Sequence, residues 1–422
     1  MVQHVKLICM ILVLSAAAVP AGPNEVIRDE AKVPDYNLPD LLVLSSGDTV
    51  NRPELWFQKR RPEILNLFKT NVYGESPVLP DRVEFKVESV EQGLFGGIAS
   101  RKQVTVYLLS NDKKLSVDLL MYIPEHVKGP VPAFLGLNFA GNQAVQHDPG
   151  IPLADCWVKN SATYQTENNR VTEGSRGVRS FRWPVEMIVA RGYAVATVCY
   201  NDIVADDPEL FAAAMDSFFP DYSGPDSPGA ISIWAWGLRR ILDYLELDPQ
   251  IDPQRVAVIG HSRLGKTALW AGALDERFAL VYSSCSGCGG AALSRRQFGE
   301  TVKIINEKFP HWFCGRFKDY NDKVSDLPLD QHMLLSLIAP RPLVVASASK
   351  DLWADPRGEF LSAVHAGPVY RLLGEAGLQT ETVPQPHQPV GSRIRYHIRE
   401  GGHNITPLDW HFVLNFADEC LK

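Results

Sequence analysis

Residues 255–270 read RVAVIGHSRLGKTALW, and the reading of the fold starts there. A short run rich in valine and isoleucine ends at Gly260, Ser262 follows two residues later, and a stretch rich in Ala and Leu begins at once. Strand, tight turn and helix in that order lift a serine hydroxyl above the carboxyl edge of a sheet, the setting of a hydrolase nucleophile elbow. The first turn of the following helix offers N–H groups without intrahelical partners, and partial positive charge, to a developing oxyanion. The usual pattern is G-x-S-x-G, whereas here the second glycine, Gly265, is displaced by one position. Residues 260–267 also satisfy the phosphate-loop expression G-x-x-x-x-G-K-[ST]. Against a nucleotide site stand the position of this loop past the middle of the domain and the lack of a downstream apolar strand ending in a magnesium-binding Asp. The leader described below also sends the chain away from ATP.

On either side of this stretch the pattern is that of a parallel sheet. Apolar runs at 132–137 (PAFLGL), 193–200 (YAVATVCY), 278–284 (FALVYSS) and 342–346 (PLVVA) suit strands buried on both faces. Helical periodicity fills 231–247 (ISIWAWGLRRILDYLEL) and 263–274. Strands alternating with helices over roughly 250 residues imply an α/β protein. With the elbow, the expectation is an α/β-hydrolase fold: a doubly wound, mostly parallel sheet in a three-layer αβα sandwich. Strand-like segments around 83–90, 103–109 and 117–123 precede this core, and the Pro-rich, weakly periodic residues 22–79 read as a wrapping arm. No repeat or low-complexity linker interrupts residues 22–422, which are expected to form one domain. Residues 140–182 and 201–229 lack regular periodicity. Long loops of this kind crown the carboxyl ends of parallel strands, which makes them candidate walls of a substrate cleft.

The whole chain has 422 residues, 45% hydrophobic and 22% charged, as globular proteins do. With 42 basic and 49 acidic residues the formal charge is −7, so there is no basic footprint for nucleic acid. Residues 1–21 look like an address: His4 and Lys6, an apolar run over 7–18, then Val19-Pro20-Ala21 with small residues where a signal peptidase cuts. Cleavage after Ala21 would leave a secreted or periplasmic protein with no membrane contact, since no later run reaches the ~18 apolar residues of a membrane span. A monomer is expected. Cys156, Cys199, Cys285, Cys288, Cys314 and Cys420 remain in the mature chain, an even number that allows disulfides and forces none. Cys285 and Cys288 form a lone CxxC with no second pair, which is too little for a zinc site.

A serine nucleophile needs a base and an acid, and α/β-hydrolases supply them in the order Ser, Asp/Glu, His. Residues 393–400 (RIRYHIRE) alternate like a last strand and run into Gly401-Gly402-His403. An imidazole on such a loop can swing over the serine, take its proton and return it to a leaving alcohol. Asp351, on the segment SASKDLW after the strand at 342–346, stands where the acid is expected, and Asp355 is its rival four residues on. Arg263, directly after the serine, can add its backbone N–H and its guanidinium to the oxyanion site. Lys266 lies one helical turn past Ser262 and can share its face, where an ammonium favours a substrate rich in hydroxyls. His261 reads as packing beside the serine, and His311, His332, His397 and His411 read as structural, with His311 also able to line a cleft.

These residues resemble a known family, the glucuronoyl esterases of carbohydrate esterase family fifteen, in particular its bacterial members. The likeness begins near Pro53 and is densest in GHSRLGKTALWAGALDERFAL, SGCGGAALSRRQFGET, PHWFC, LPLDQHMLLSLIAPRPL and the C-terminal GGH. It implies hydrolysis of the ester joining 4-O-methyl-glucuronic acid of glucuronoxylan to lignin alcohols, with no metal or organic cofactor. Carried over by position, Ser262 resembles the nucleophile, His403 the base and Arg263 the oxyanion stabiliser. Lys266 and Glu300 resemble contacts to the uronate hydroxyls, and Trp353 a cleft wall near the sugar. Many members place the acid as Glu in a turn after the strand that follows the nucleophile helix. Here that turn reads Ser283-Ser284-Cys285-Ser286-Gly287, with Cys285 where a carboxylate might be, so the acid role falls to Asp351. The alternatives are an acetyl-xylan or other carbohydrate esterase on the same fold, and a carbohydrate-binding protein that has lost its activity.

Overall fold

A computed structural model describes residues 26–110 and 112–422. Ten strands of the described residues form one sheet: β1 (Arg82–Gly93), β2 (Ala99–Ser110), β3 (Lys113–Pro124), β4 (Val131–Asn138), β5 (Ala194–Cys199), β6 (Ile251–His261), β7 (Leu280–Ser284), β8 (Leu343–Ala348), β9 (Val390–Gly391) and β10 (Ile394–Arg399). Their order is β1-β2-β3-β5-β4-β6-β7-β8-β10-β9. From β5 to β10 every pairing is parallel, while β1, β2, β3 and the short β9 add antiparallel edges. The sheet is thus doubly wound and mostly parallel, an α/β-hydrolase architecture.

Every residue of β4, β5, β7 and β8 is buried, as strands covered on both faces must be. Alternate residues feed two cores. Val256, Val258, Val281 and Val345 pack beneath α3 (Ala230–Leu245), α4 (Arg263–Leu274) and α5 (Pro356–Leu372). Ala257, Ile259, Tyr282 and Val344 face α1 (Val185–Ala190) and α6 (Pro407–Leu421). The segment before β1 lies along the first core: Trp56, Ile64, Phe68, Val72 and Tyr73 are buried in it, and Tyr73 stacks on Trp270 of α4 at 4.5 Å. The leader expected at residues 1–21 lies outside the described residues. Among the described residues no helix is long and apolar enough to cross a membrane.

One expectation needs correcting. Residues 201–229 contain α2 (Pro208–Phe218), eleven residues of regular helix. Asp207 caps its start by accepting from the N–H groups of Glu209 and Leu210, and Pro208 at the first position has no N–H to leave unpaired. The segment looks irregular because only Met215 and Phe218 are buried, too few to print a stripe. Residues 140–182, by contrast, hold short turns and one two-residue hairpin, Thr166–Glu167 with Arg170–Val171.

The chain leaves β4 for β5 on one side and returns to β6 on the other. The crevice at the carboxyl ends of β4 and β6 is therefore the switch point at which open α/β sheets bind ligands. Ser262 stands at that edge.

Candidate active site

Ser262 joins β6 directly to α4 with φ 61° and ψ −131°, a left-handed conformation that a non-glycine residue adopts at a cost. Its N–H donates to Ser284 O at the end of β7 (2.8 Å). The displaced glycine follows from how tightly the first turn of α4 folds back on the strand. A Cβ on Gly260 would lie 1.9 Å from Leu264 O, and one on Gly265 would lie 3.1 Å from Gly260 O. These two positions are where the chain crosses itself, so the spacing serves the same elbow as the common pattern.

Two further loops bring the remaining groups. Ser349 N–H donates to Arg399 O (2.9 Å) and Lys350 N–H to Gly401 O (2.8 Å), which fastens the loop after β8 to the loop after β10. Asp351 and His403 meet across that seam: His403 Nδ1 lies 2.6 Å from Asp351 Oδ2, and His403 Nε2 lies 2.8 Å from Ser262 Oγ. The Asp351 side chain is 4% exposed, whereas that of His403 is 42% exposed and can reach substrate. Asp355, the rival acid, is spent elsewhere. It pairs with Arg296 (2.9 Å) and caps α5 through Gly358 N–H (2.9 Å).

Cys285 is buried beside this line, its sulfur within 4.8 Å of the ligand atoms of Asp351 and His403. Burial pushes its thiol well up, so it stays neutral. His261 packs its ring 4.7 Å from that of His403, and burial, with the charges of His403 and Arg182, holds it well below the usual histidine range.

Arg263 is set in a web that no local motif announces. Its Nη1 pairs with Asp206, and its guanidinium lies 4.5 Å over the Trp312 ring and 5.4 Å over Phe309. Asp206 also accepts from Trp312 Nε1 (2.7 Å), His311 Nε2 (2.9 Å) and Tyr200 OH (3.0 Å). Burial alone would raise the Asp206 carboxyl. The bond from His311, the Arg263 charge and the Trp312 indole outweigh it and hold the carboxyl well below the usual range. Arg263 Nε is buried without an acceptor among the described residues, a spare donor next to the nucleophile.

A cavity of about 320 Å³ opens at Ser262, Arg263 and His403. Residues 158–161, Tyr164 and Arg182 of the first long connection wall it, together with Asp206 of the second and Phe139 after β4. Lys159, Arg182 and Arg263 face one acid there, Asp206, so the cavity is cationic. Lys266, Glu300 and Trp353 cluster apart from these lining residues. Lys266 Nζ donates to Ser286 O and lies 4.0 Å from Glu300 Oε2, and Glu300 N–H donates to Trp353 O (2.9 Å). Burial lowers the Lys266 pKa against the pull of Glu300.

One further carboxyl behind the site has no sequence signal. Glu359 of α5 is fully buried, accepting from Ser347 Oγ (2.5 Å), Gly287 N–H (3.0 Å) and Ser286 Oγ (3.3 Å). Burial, aided by the Asp351 charge, pushes it up to about 8. Of the remaining histidines, His397 bonds Asp409 (3.0 Å) and His332 bonds Pro39 O (3.1 Å), while His411 contacts Asn415 (3.2 Å).

The chain is similar to several known proteins. The family described as "Glucuronyl esterase, fungi" matches residues 179–374. A carbohydrate esterase, MZ0003, from an unknown prokaryotic organism is 47% identical over 404 residues, covering 94% of this chain and 93% of that protein. A 4-O-methyl-glucuronoyl methylesterase of Cerrena unicolor is 36% identical over 43% of this chain and 40% of its own length. The solved glucuronoyl esterase of Solibacter usitatus superposes with a TM-score of 0.87 at 46% identity, covering 93% of this chain and all of that one.

Proposed function

The chain belongs to the glucuronoyl esterases, carbohydrate esterase family fifteen, and from that premise we propose that it is an exported serine esterase. Its substrate is the ester joining 4-O-methyl-glucuronic acid of glucuronoxylan to lignin alcohols. The observation that carries this reading is the unbroken hydrogen-bonded line from Asp351 through His403 to Ser262, ending beside Arg263.

Ser262 Oγ attacks the ester carbonyl carbon as His403 Nε2 takes its proton. Asp351 accepts from Nδ1–H, holds the tautomer that leaves Nε2 free, and stabilises the imidazolium. The charge gathering on the carbonyl oxygen is met by the N–H groups of the first turn of α4 and by Arg263. His403 then passes its proton to the alcohol oxygen, the C–O bond breaks, and a glucuronoyl-Ser262 ester remains. Water, deprotonated by His403, attacks that ester and releases the uronate and the free serine. The family resemblance gives Lys266 and Glu300 to the uronate hydroxyls and Trp353 to a wall near the sugar, so the sugar must extend past the lining of the cavity at Ser262. The reaction uses no metal or organic cofactor, and the enzyme acts as a secreted or periplasmic monomer, without nucleic acid or membrane partners.

The test sets benzyl glucuronate beside acetylated xylan under one set of conditions. Release of benzyl alcohol should dominate. Faster release of acetate would make the enzyme an acetyl-xylan or other carbohydrate esterase, and turnover of neither would make it a binding protein on a hydrolase fold.

A further inference from the structure

The connection from β4 to α1 separates two cavities. Residues 150–154 line one of about 450 Å³, together with Asp118 of β3 and Asp202, while residues 158–161 and Tyr164 line the cavity at Ser262. Cys156 sits between the two sets. Its Sγ lies 3.5 Å from Sγ of Cys199, the last residue of β5. The next residue, Tyr200, lines the Ser262 cavity and donates to Asp206.

Little else ties this stretch to the sheet. Apart from the contact of Cys156 with Asp202, the hydrogen bonds of residues 154–160 end on Gln143, Thr166, Asn169 and Arg170, all within the same connection. Cys285 and Cys314, by contrast, point their sulfurs at backbone carbonyls, Asn404 O (3.8 Å) and Thr70 O (3.7 Å). Cys156 is half-buried, so a thiol reagent can reach it, and Cys199 is fully buried behind it.

We propose that Cys156 and Cys199 are joined by a disulfide in the mature enzyme, fastening the shared wall of the two cavities to the end of β5. This rests on the export proposed above, because such bonds persist in oxidising compartments. A bond of about 2.04 Å requires the sulfurs to close by about 1.5 Å from their 3.5 Å separation. The oxidant is a protein or small-molecule disulfide of that compartment. The Cys156 thiolate attacks one of its sulfurs and expels a thiolate, and Cys199 then attacks the mixed disulfide and expels the second. Two protons and two electrons leave the pair and reappear in two reduced thiols. The carboxyl of Asp202, in contact with Cys156, is the proton acceptor at hand. The closed loop spans 43 positions, long enough for the cross-link to restrict the unfolded chain strongly. With the triad untouched, the bond governs how the cleft wall receives the alcohol half of the ester.

The experiment equilibrates the purified full chain with oxidised glutathione, then reads alkylation, peptide mapping and the thermal midpoint. Two thiols should disappear, a peptide bridging Cys156 and Cys199 should appear, and the midpoint should rise by several degrees. In Cys156→Ser that rise should vanish, with kcat on methyl glucuronate unchanged. Reduction of the wild type should raise KM for a bulky aryl-alkyl ester several-fold and leave kcat in place. The proposal fails if both thiols stay alkylatable in excess oxidised glutathione, if the bridge joins other cysteines, or if the pair copurifies with stoichiometric zinc or copper. It fails also if a bridge made in glutathione is missing from protein recovered from its native compartment. The N-terminal sequence of that recovered protein tests export separately, since the glutathione result does not depend on where the chain resides.

Discussion

The loop leaving β8 delivers a carboxylate to His403, with Asp351 Oδ2 2.6 Å from Nδ1, whereas the loop leaving the neighbouring strand β7 brings Cys285, a buried neutral thiol, to the same place. Behind both lies Glu359, a carboxyl that burial keeps protonated near neutral pH. The imidazole thus has the Asp351 carboxyl at 2.6 Å and the Cys285 sulfur nearby, with the buried Glu359 carboxyl behind them. All three are buried, and what separates them is chemistry and position. Asp351 is held on a seam next to the half-exposed imidazole, and the other two are sealed behind it. Cys285 lies near the imidazole but its thiol is pushed well up, and Glu359 bonds Ser347, Ser286 and Gly287 instead, so neither replaces Asp351.

The largest effects should come from the line itself. Ser262→Ala should lower kcat on benzyl glucuronate by about 10⁶-fold, the scale seen when a serine nucleophile is removed. Asp351→Asn should cost about 10⁴-fold, because an amide favours the wrong imidazole tautomer. Burst kinetics on the same substrate would check that acylation is the step lost. If Asp351→Asn kept most of its activity, the contrast between the two strand ends would collapse.

Asp206→Asn tests the other side of the serine. It leaves Arg263 without its counter-charge in a packed aromatic setting, and kcat should fall by about 10²-fold, at the lower end for loss of an oxyanion donor. Breaking a buried pair should also cost about 3 kcal/mol of stability, read from urea unfolding. A loss confined to KM would assign Asp206 to the substrate rather than to Arg263.

The third test uses pH. Glu359 is held at about 8 in the fold, against an ordinary value of 4.5 in the unfolded chain. Between those values the folded protein keeps a proton that the unfolded chain has released, so this residue's contribution to stability falls as pH rises from 4.5 through 8. Gln has the shape of the protonated carboxyl, so Glu359→Gln should keep the fold and flatten the fall of the thermal midpoint between pH 5 and 8, roughly the span of these two values. An unchanged slope would mean that Glu359 is ionised, and the contrast with Asp351 would need another cause.

How much of this could be read beforehand follows from the range of each signal. The elbow is largely local: Gly260, Ser262 and Gly265 lie within six residues, and the crossing at Gly260 is made with Leu264 of the same stretch, while Ser283 and Ser286 also close on Gly265. Asp351 and His403 were legible as groups at the ends of strands, because parallel strands announce themselves by continuous apolar runs. Asp206 and Glu359 carry no such mark. Glu359 is defined by Ser286, 73 positions away, and by Ser347, 12 away, and Asp206 by Trp312, 106 away. Their roles exist only once the sheet has closed. Helix α2 escaped for a different reason: its capping signal at Asp207-Pro208 was present, but its buried stripe was too thin to weigh against the surrounding polar residues.

The smallest expected effect is also the sharpest test of the comparison. Cys285 sits at φ 46°, buried, with its N–H donating to Ala346 O (2.7 Å). Cys285→Ala keeps the Cβ and the backbone, so it leaves the left-handed strain as it was and removes one sulfur atom. A neutral thiol contributes no charge to His403, so kcat should stay within about twofold and its pH profile should not move, since a one-unit shift would require about 1.4 kcal/mol of lost interaction with the imidazolium. Stability should drop by about 1 kcal/mol for the small cavity left behind. A shift of the acidic limb of kcat/KM, rather than a uniform fall, would show that the sulfur bears charge when His403 is protonated, and the division of labour between the ends of β7 and β8 would have to be redrawn.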